Sequence, residues 1–321
     1  MGFLGTGWIG RSRMEAILTG GEINAVAVAD PSAECSEAAL ALAPSAIALA
    51  GLDELLDLGL DGIVIATPSA LHAEQSIRAL EAGTAVFCQK PLGRSAGEVQ
   101  AVVQAAHVAD RLLAVDLSYR FTAGMAAILP LLREEALGRV HAVDLTFHNA
   151  YGPDKPWFYD PALSGGGCVM DLGVHLVDLA LWALGWPEVE TVESHLFAGG
   201  EPLVAGKCED LAVATLTLAG GTVVRLACSW RLHAGREAVI SAEFYGTAGG
   251  AALHNVGGSF YDFTAKRFSA TSSQLLAEPP DAWGGRAASD WARRLAAGKR
   301  FDPEAARLLD VARVLDRIYR R

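Results

Sequence analysis

Short apolar stretches alternate with amphipathic ones through the first 120 residues. Apolar runs rich in β-forming residues lie at 24–29, 62–66, 84–88 and 112–116, after a shorter run at the start of the chain. Helix-like stretches lie between and around them, at 10–19, 34–43, 53–58, 70–82 and 95–110. This alternation, with short connections, predicts a parallel sheet that is covered by helices on both faces. Because crossovers between parallel strands are right-handed, we expect a doubly wound sheet.

The pattern changes after residue 121. A helix near 124–134 leads to a long strand at 139–149, an aromatic and proline-rich loop at 150–163 and an apolar helix at 164–185. Strands with alternating apolar and polar residues are predicted at 188–198, 209–218, 222–231, 237–246, 249–254 and 259–263, with a hairpin at Gly220 and Gly221. Strands in succession predict a mostly antiparallel sheet. Helices near 285–297 and 303–320 close the chain.

These patterns predict an α/β protein with two domains, which a length of 321 residues can accommodate. Residues 1–121 are expected to form a Rossmann-type doubly wound domain. Residues 122–321 are expected to form an α+β domain with a large open sheet for substrate binding and oligomerisation. The C-terminal helix is expected to pack back on the first domain.

A glycine turn follows the first apolar run. Gly5, Gly7 and Gly10 form G-x-G-x-x-G, and Asp30 lies 20 residues beyond Gly10 at the end of a predicted strand. This combination is typical of a dinucleotide site, in which the pyrophosphate sits on a helix N-terminus. Residues 31–34 contain no arginine or lysine, so Asp30 is expected to favour NAD over NADP. The alternative is a structural glycine-rich turn with Asp30 as a helix cap.

Three further loops at the carboxyl ends of predicted strands carry polar side chains. Thr67, Pro68 and His72 lie in the first, and His72 is as well explained by packing or capping as by ligand contact. Lys90 follows a buried strand, where a lysine can be partly desolvated and serve in proton transfer; the alternative is a surface lysine before a proline. Arg120 is expected to contact a ligand or to form an interdomain salt bridge.

The apolar helix at 164–185 contains an aspartate and a histidine at a spacing that would place them on one helix face. Asp171 and His175 are four residues apart and share one face of an α-helix, and Asp178 lies near that face. Polar groups inside an apolar helix cost free energy unless they are paired or used. The alternatives are a structural Asp–His hydrogen bond and a metal site. No third ligand has a metal-binding spacing, so we expect no metal.

Composition narrows the class of protein. A net charge of −11 argues against nucleic acid or an anionic membrane as the main partner, and no apolar run of membrane-spanning length is evident. Five scattered cysteines fit a reducing, cytoplasmic compartment. Only four residues precede Gly5, so we expect no signal peptide here, and a natural start upstream of Met1 is an open alternative.

Together these residues resemble the Gfo/Idh/MocA oxidoreductases, which include glucose–fructose oxidoreductases and inositol dehydrogenases. The resemblance spans nearly the whole chain and rests on GTGWIG (5–10), TPSALH (67–72), CQKP (88–91) and GGGCVMDLGVHLVD (165–178). Two positions depart from the family pattern. Gln89 replaces the glutamate of E-K-P, and Ser69 replaces the asparagine of T-P-N-x-x-H.

The resemblance implies an NAD-dependent enzyme that moves a hydride to or from a secondary hydroxyl of a sugar, cyclitol or related polyol. It implies catalytic roles for Lys90, Asp171 and His175, with His175 as the first choice of base and Lys90 as the second. The implied cofactor contacts are Gly5, Thr6, Gly7, Trp8, Ile9, Gly10, Asp30, Thr67, Pro68, His72, Gln89, Lys90 and Arg120. In the family the open sheet is often a dimer interface, and because the outer face of such a sheet needs cover, we expect a homodimer or homotetramer.

Two other functions are compatible with the sequence. Some members of the family use tightly held NAD for redox-neutral lyase, glycosidase or epimerase reactions. A non-catalytic dinucleotide-binding regulator is the other alternative, although such a protein has no need for Lys90, Asp171 and His175 together.

Overall fold

Two compact units make up the chain in the computed structural model, which describes residues 1–321. The first unit contains Met1–Asp116 and Gly285–Asp310, and the second contains Leu117–Gly284 and Val311–Arg321. The boundary expected after residue 121 therefore lies inside the second unit. The segment that returns to the first unit carries the helix before the last one, and the last helix is divided between the units.

The first unit is built on a six-stranded parallel sheet. Its strands are β1 (Gly2–Leu4), β2 (Ala27–Ala29), β3 (Ile47–Leu49), β4 (Gly62–Ile65), β5 (Ala85–Cys88) and β6 (Leu113–Val115). They are arranged in the order β3-β2-β1-β4-β5-β6, and every neighbouring pair is parallel. The predicted doubly wound sheet is confirmed. Its strand order reverses at β1 and β4, where folds of this kind bind their ligands.

Five helices connect these strands, close to the predicted positions. They are α1 (Trp8–Thr19), α2 (Ala33–Leu40), α3 (Leu52–Asp57), α4 (Ser69–Glu81) and α5 (Ala96–Ala109). Strand β3 was not predicted from the sequence. Its surroundings are rich in alanine, which has a weak preference for strands, and it lies at the sheet edge with Ile47 50% exposed.

Helix α9 (Arg286–Ala296) brings a later part of the chain into the first unit. Its Trp291 is almost fully buried, and its ring centroid lies 5.7 Å from that of Phe87 on β5. A Cβ at Gly62 on β4 would lie 2.9 Å from the indole, so glycine leaves the space that this side chain needs. Burial of one large aromatic side chain thus explains why the segment after residue 284 rejoins the first sheet.

The second unit is built on a nine-stranded sheet. Its strands are β7 (Val140–Asn149), β8 (Val189–Ala198), β9 (Glu201–Pro202), β10 (Leu211–Leu218), β11 (Val223–Ser229), β12 (Ala238–Gly246), β13 (Gly250–Asn255), β14 (Phe263–Ser269) and β15 (Ser272–Ala277). They are arranged in the order β15-β14-β13-β12-β7-β11-β10-β8-β9. Only β7 and β11 pair in parallel, so the predicted mostly antiparallel sheet is confirmed.

The hairpin between β10 and β11 forms where it was predicted. Gly220 and Gly221 have φ angles of 87° and 83°, and positive angles of this size favour glycine. The last strands differ from the prediction. β14 begins at Phe263, where the predicted strand at 259–263 ends, and β9 and β15 were missed. The first four residues of β15 are exposed, so little apolar alternation marks this edge strand.

The two faces of the second sheet differ. Helices α6 (Ala123–Arg133) and α8 (Val174–Ala183) cover one face, on which Val143, Leu145 and Phe147 of β7 are buried. The alternate positions on β10, β12 and β15 form the opposite face, where Val213, Tyr245 and Leu275 are exposed. Helices α7 (Pro161–Ser164) and α10 (Arg307–Tyr319) complete the helices of the chain.

One stretch, Pro161–Ala183, is long and apolar enough to cross a membrane when judged by length and composition. In this structure 89% of its apolar window is buried inside the protein. Core helices of globular units have the same composition, and packing against the sheet accounts for it here.

Candidate active site

The glycine turn at 5–10 joins β1 to α1. Gly5 has a φ of +82°, and a Cβ there would lie 2.5 Å from the carbonyl oxygen of Ala66. A Cβ at Gly10 would lie 2.1 Å from the carbonyl oxygen of Gly5. Gly7 differs, because a Cβ there would meet no atom within 4 Å. The fold therefore requires Gly5 and Gly10, whereas Gly7 leaves open space beside the start of the helix.

Helix α1 begins without a capping side chain. Gly7 occupies the N-cap position, and the first turn contains no acidic residue. The N–H of Arg11 donates to the Gly7 carbonyl at 3.0 Å and begins the hydrogen-bond ladder of the helix. The preceding N–H groups, those of Trp8, Ile9 and Gly10, and the helix dipole favour an anion at this end. The open space at Gly7 therefore fits the pyrophosphate of a dinucleotide.

Asp30 lies beside the glycine turn at the end of β2. One carboxylate oxygen accepts the N–H of Thr6 at 2.6 Å, and the other accepts the N–H of Ser32 at 2.8 Å. The cap of α2 is Ser32, whose hydroxyl accepts the N–H of Cys35. The alternative interpretation of Asp30 as the helix cap is therefore wrong. Its carboxylate is held by backbone groups and retains lone pairs for further donors.

His72 is packed between two of the predicted loops. Its ring is buried, with Nδ1 2.6 Å from the Pro91 carbonyl oxygen and Nε2 2.7 Å from that of Thr67. Burial lowers the pKa of His72, and the two carbonyl contacts oppose that shift. Of the two roles considered from the sequence, the structure supports the packed one. His72 ties the loop at 67–72 to the loop at 89–94, and its contact with a cofactor stays a prediction.

The loop at 67–72 begins with two residues that end β4 and start α4. The Thr67 hydroxyl donates to Gln75 at 2.6 Å, and Pro68 occupies the N-cap position of α4. Lys90 is half-buried beyond the carboxyl end of β5, and its backbone N–H donates to the Gln89 side chain at 3.1 Å. The first unit thus gathers its predicted residues on loops that follow β1, β2, β4 and β5.

A buried carboxylate holds the glycine run of the second unit. Glu209 accepts the N–H groups of Gly167 at 3.0 Å and Val169 at 2.9 Å, and the Tyr319 hydroxyl at 2.7 Å. Burial raises the pKa of Glu209, and these hydrogen bonds oppose the shift. A Cβ at Gly167 would lie 1.9 Å from the Glu209 carbonyl oxygen, and one at Gly166 would lie 2.1 Å from the Tyr319 hydroxyl. Glycine at these two positions therefore leaves room for Tyr319 and Glu209, and the hydrogen bonds of Glu209 hold the start of the next helix.

That helix is not the continuous α-helix expected from the sequence. Val169–Gly173 form a π-helical turn, and α8 begins at Val174. Asp171 therefore lies in the π turn and His175 in the first turn of α8. Apolar periodicity does not reveal such a turn. π-Turns of this kind occur frequently at functional sites.

Trp230 orients Asp171, although the sequence did not mark it. Its indole N–H donates to Oδ2 of Asp171 at 2.9 Å. Trp230 is 4% exposed, and its ring packs edge-on against Tyr159, with centroids 5.5 Å apart. Tyr159 belongs to the aromatic loop at 150–163, and its hydroxyl accepts a bond from Arg231 at 3.1 Å. Aromatic side chains therefore connect this loop to the Asp171 carboxylate.

His175 lies among aromatic rings. Its ring centroid is 4.9 Å from that of Tyr119 in an edge-on arrangement and 6.4 Å from that of Phe147. His175 is 7% exposed. The neighbouring Tyr119 is buried too, and this burial raises the pKa of its hydroxyl. These rings restrict the imidazole to a narrow range of orientations.

Arg120 and Asp178 form an ion pair inside the second unit. The Arg120 Nε donates to Oδ2 of Asp178 at 2.7 Å, and the guanidinium lies 5.6 Å from the Trp182 ring centroid. Burial raises the pKa of Asp178, and Arg120 opposes that shift. The alternative of an interdomain salt bridge is wrong, because both residues belong to one unit. Cofactor contact by Arg120 stays a prediction.

The five cysteines of the chain are free thiols. Cys88, Cys168 and Cys228 are buried, and Cys35 and Cys208 are partly exposed. No group of three or more His, Cys, Asp or Glu side chains is arranged to hold a metal ion.

Two family models match the chain. Residues 1–117 match an oxidoreductase family described as having an NAD-binding Rossmann fold, and residues 125–252 match the GFO/IDH/MocA C-terminal domain. The two matches correspond to the parallel sheet and to most of the antiparallel sheet.

Individual proteins resemble the chain more distantly. D-glucoside 3-dehydrogenase of Escherichia coli (strain K12) is 26% identical over 211 residues, 62% of this chain and 60% of that protein. Inositol 2-dehydrogenase of Rhizobium meliloti (strain 1021) is 29% identical over 185 residues, 57% of this chain and 54% of that protein. The chain thus spans less than two thirds of either relative.

A solved structure of levoglucosan dehydrogenase in complex with NADH has the same fold, with a TM-score of 0.84. It is 22% identical, and the superposition covers 99% of this chain and 95% of that one.

The different surroundings of the glycines predict opposite effects of alanine. Gly7→Ala should fold normally, because its Cβ meets no atom within 4 Å, yet it should weaken NAD binding by about tenfold or more by filling the pyrophosphate space. Gly10→Ala should lower the melting temperature without ligand, because its Cβ would overlap the Gly5 carbonyl. Thermal unfolding with and without NAD measures both effects. Wild-type NAD binding by Gly7→Ala would contradict this placement of the pyrophosphate.

Proposed function

Because the chain belongs to the Gfo/Idh/MocA family of oxidoreductases, we propose that it is a nicotinamide-dependent dehydrogenase or reductase. It transfers a hydride between NAD and a secondary hydroxyl or ketone of a sugar, cyclitol or related polyol. The observation that carries this proposal is a dinucleotide cradle in one unit together with an oriented Asp171 and a restrained His175 in the other. The dehydrogenase names of both relatives favour net oxidation or reduction over a redox-neutral reaction.

The cofactor supplies the hydride chemistry, and the protein supplies binding, orientation and proton transfer. His175 accepts the proton of the substrate hydroxyl during oxidation, because an imidazole exchanges protons near neutral pH. Asp171, aimed by Trp230, orients that hydroxyl or the imidazole. Lys90 donates a hydrogen bond to the reacting oxygen and stabilises its developing negative charge. Lys90 as the base is the second assignment.

Five free thiols, three of them buried, fit a protein of the reducing cytoplasm, which is where we propose that it works. Fractionation of cells that express the chain at natural levels tests this location.

Single substitutions should lower turnover in a graded order. Lys90→Ala and His175→Ala should each reduce it by roughly 10²–10⁴-fold, because each removes a group that handles the proton or the reacting oxygen. Trp230→Phe keeps an aromatic ring and removes only the bond to Asp171, so its loss should be smaller, about tenfold. A screen of glucosides, anhydrosugars and inositols with NAD and NADP, followed by the absorbance of the reduced nicotinamide, measures these rates.

Matched controls are Lys299→Ala and His195→Ala, which remove the same groups at exposed positions and should retain wild-type rates. Full activity in both Lys90→Ala and His175→Ala would overturn the proposed roles.

NAD should bind more tightly than NADP. The Asp30 carboxylate accepts hydrogen bonds from a ribose diol but repels a 2′-phosphate, and no basic residue occurs at 31–34 to offset that repulsion. Asp30→Ala should weaken NAD binding more than NADP binding. Calorimetric titration of both cofactors into both proteins tests this, and tighter binding of NADP to the wild type would contradict it.

We also propose that the chain forms a homodimer, or a dimer of dimers, through the open face of the nine-stranded sheet. Val213 and Leu275 are 44% and 48% exposed on that face. Val213→Asp should shift the mass toward monomer, because burying an unpaired carboxylate in an interface is costly. Light scattering at micromolar concentration measures the mass, and a monomeric wild type would count against the proposal.

A further inference from the structure

A buried cluster in the first unit connects α1, the Lys90 loop and the end of β6. The Arg13 Nε donates to Oδ2 of Asp116 at 2.5 Å, and these residues are 7% and 1% exposed. The Gln89 side-chain N–H donates to the same oxygen at 2.5 Å. The other oxygen of Asp116, Oδ1, is buried without a hydrogen bond. Arg13 and Gln89 are therefore the side-chain donors that stabilise this carboxylate.

Gln89 uses both ends of its carboxamide. Nε2 donates to Asp116, and Oε1 accepts the backbone N–H of Lys90 at 3.1 Å. The reversed orientation would bring two oxygens to 2.5 Å and turn the NH₂ group toward the Lys90 N–H. Only one orientation is therefore satisfied, and it fixes the residue directly before Lys90 against a buried ion pair.

A carboxylate at position 89 does not fit these surroundings. Position 89 directly precedes Lys90 and Pro91 and is glutamine in this chain. A glutamate here would bring a second negative charge beside Asp116, with Arg13 as the one cation that bonds to the pair. It would also remove a donor from a carboxylate that has only two side-chain donors. Like charges at this distance in a buried site oppose each other strongly.

We propose that Gln89 is a positioning residue for Lys90. Because Asp116 lies beside it, this role requires glutamine and not glutamate at position 89. Gln89 acts through the Lys90 backbone, and the Arg13–Asp116 pair fixes the Gln89 side chain. The proposal rests on the function proposed for Lys90, because a displaced amine would no longer meet the reacting oxygen.

Exchange of the charge between the two positions tests the proposal. Gln89→Glu should lower kcat by about tenfold or more with little change in KM for the polyol, because Lys90 is displaced. The double variant Gln89→Glu/Asp116→Asn keeps one carboxylate and one amide beside Arg13, so it removes the repulsion between two carboxylates. It should recover kcat to within about threefold of wild type, a difference of about 0.7 kcal/mol. Gln104→Glu, at an exposed position of α5, is the matched control and should equal wild type.

A measurement without turnover separates this proposal from the function itself. Acylation of the Lys90 amine, followed by peptide mass spectrometry, should change in rate in Gln89→Glu and return toward the wild-type rate in the double variant. A wild type that oxidises no polyol would overturn the proposed function, and the acylation rates would still test the cluster.

If Gln89→Glu has the same kcat and the same Lys90 acylation rate as the wild type, Gln89 does not position Lys90. A folded double variant that recovers neither quantity would overturn the role of Asp116. If Gln89→Glu does not fold, Gln89→Met, which removes both hydrogen bonds at similar volume, replaces it. An unchanged acylation rate in that variant would overturn the proposal equally.

Discussion

A carboxylate that is buried away from water needs hydrogen-bond donors from the protein, and this requirement determines how distant segments of the chain pack together. Asp116, Asp178 and Glu209 are each at most 2% exposed. The partners that meet them come from distant parts of the chain, with Arg13 103 residues from Asp116 and Tyr319 110 residues from Glu209. An uncompensated charge in such a place costs several kcal/mol, so each carboxylate admits few arrangements of the segments around it.

The same requirement bears on the chemistry proposed for both units. In the first unit, the carboxylate of Asp116 holds the residue that precedes Lys90. In the second, Glu209 holds the backbone at Gly167 and at Val169, the first residue of the π turn that carries Asp171. Apolar packing gives each unit its stability, but it tolerates small shifts among similar side chains. Charge-assisted hydrogen bonds are more directional, so they suit groups whose position decides a reaction.

The sequence predicted those parts of the structure that depend on residues close together in the chain. Alternating apolar runs predicted the parallel sheet, and Gly220 predicted a hairpin. The π turn has no apolar period of its own, and the return of 285–310 to the first unit depends on tertiary packing. Trp230 was missed for a similar reason, because its value lies in one bond to a residue 59 positions away.

The chain passes between its two units three times, at 116/117, 284/285 and 310/311. The first unit is therefore encoded in two separate pieces of gene. A fragment that ends near residue 117 specifies all six strands, but it lacks Trp291 and leaves an apolar slot beside Phe87 and Gly62. A single recombination event between relatives would pair this slot with a foreign indole or with none. Exchange of the complete first unit between relatives thus requires three coordinated crossovers, one at each of these boundaries.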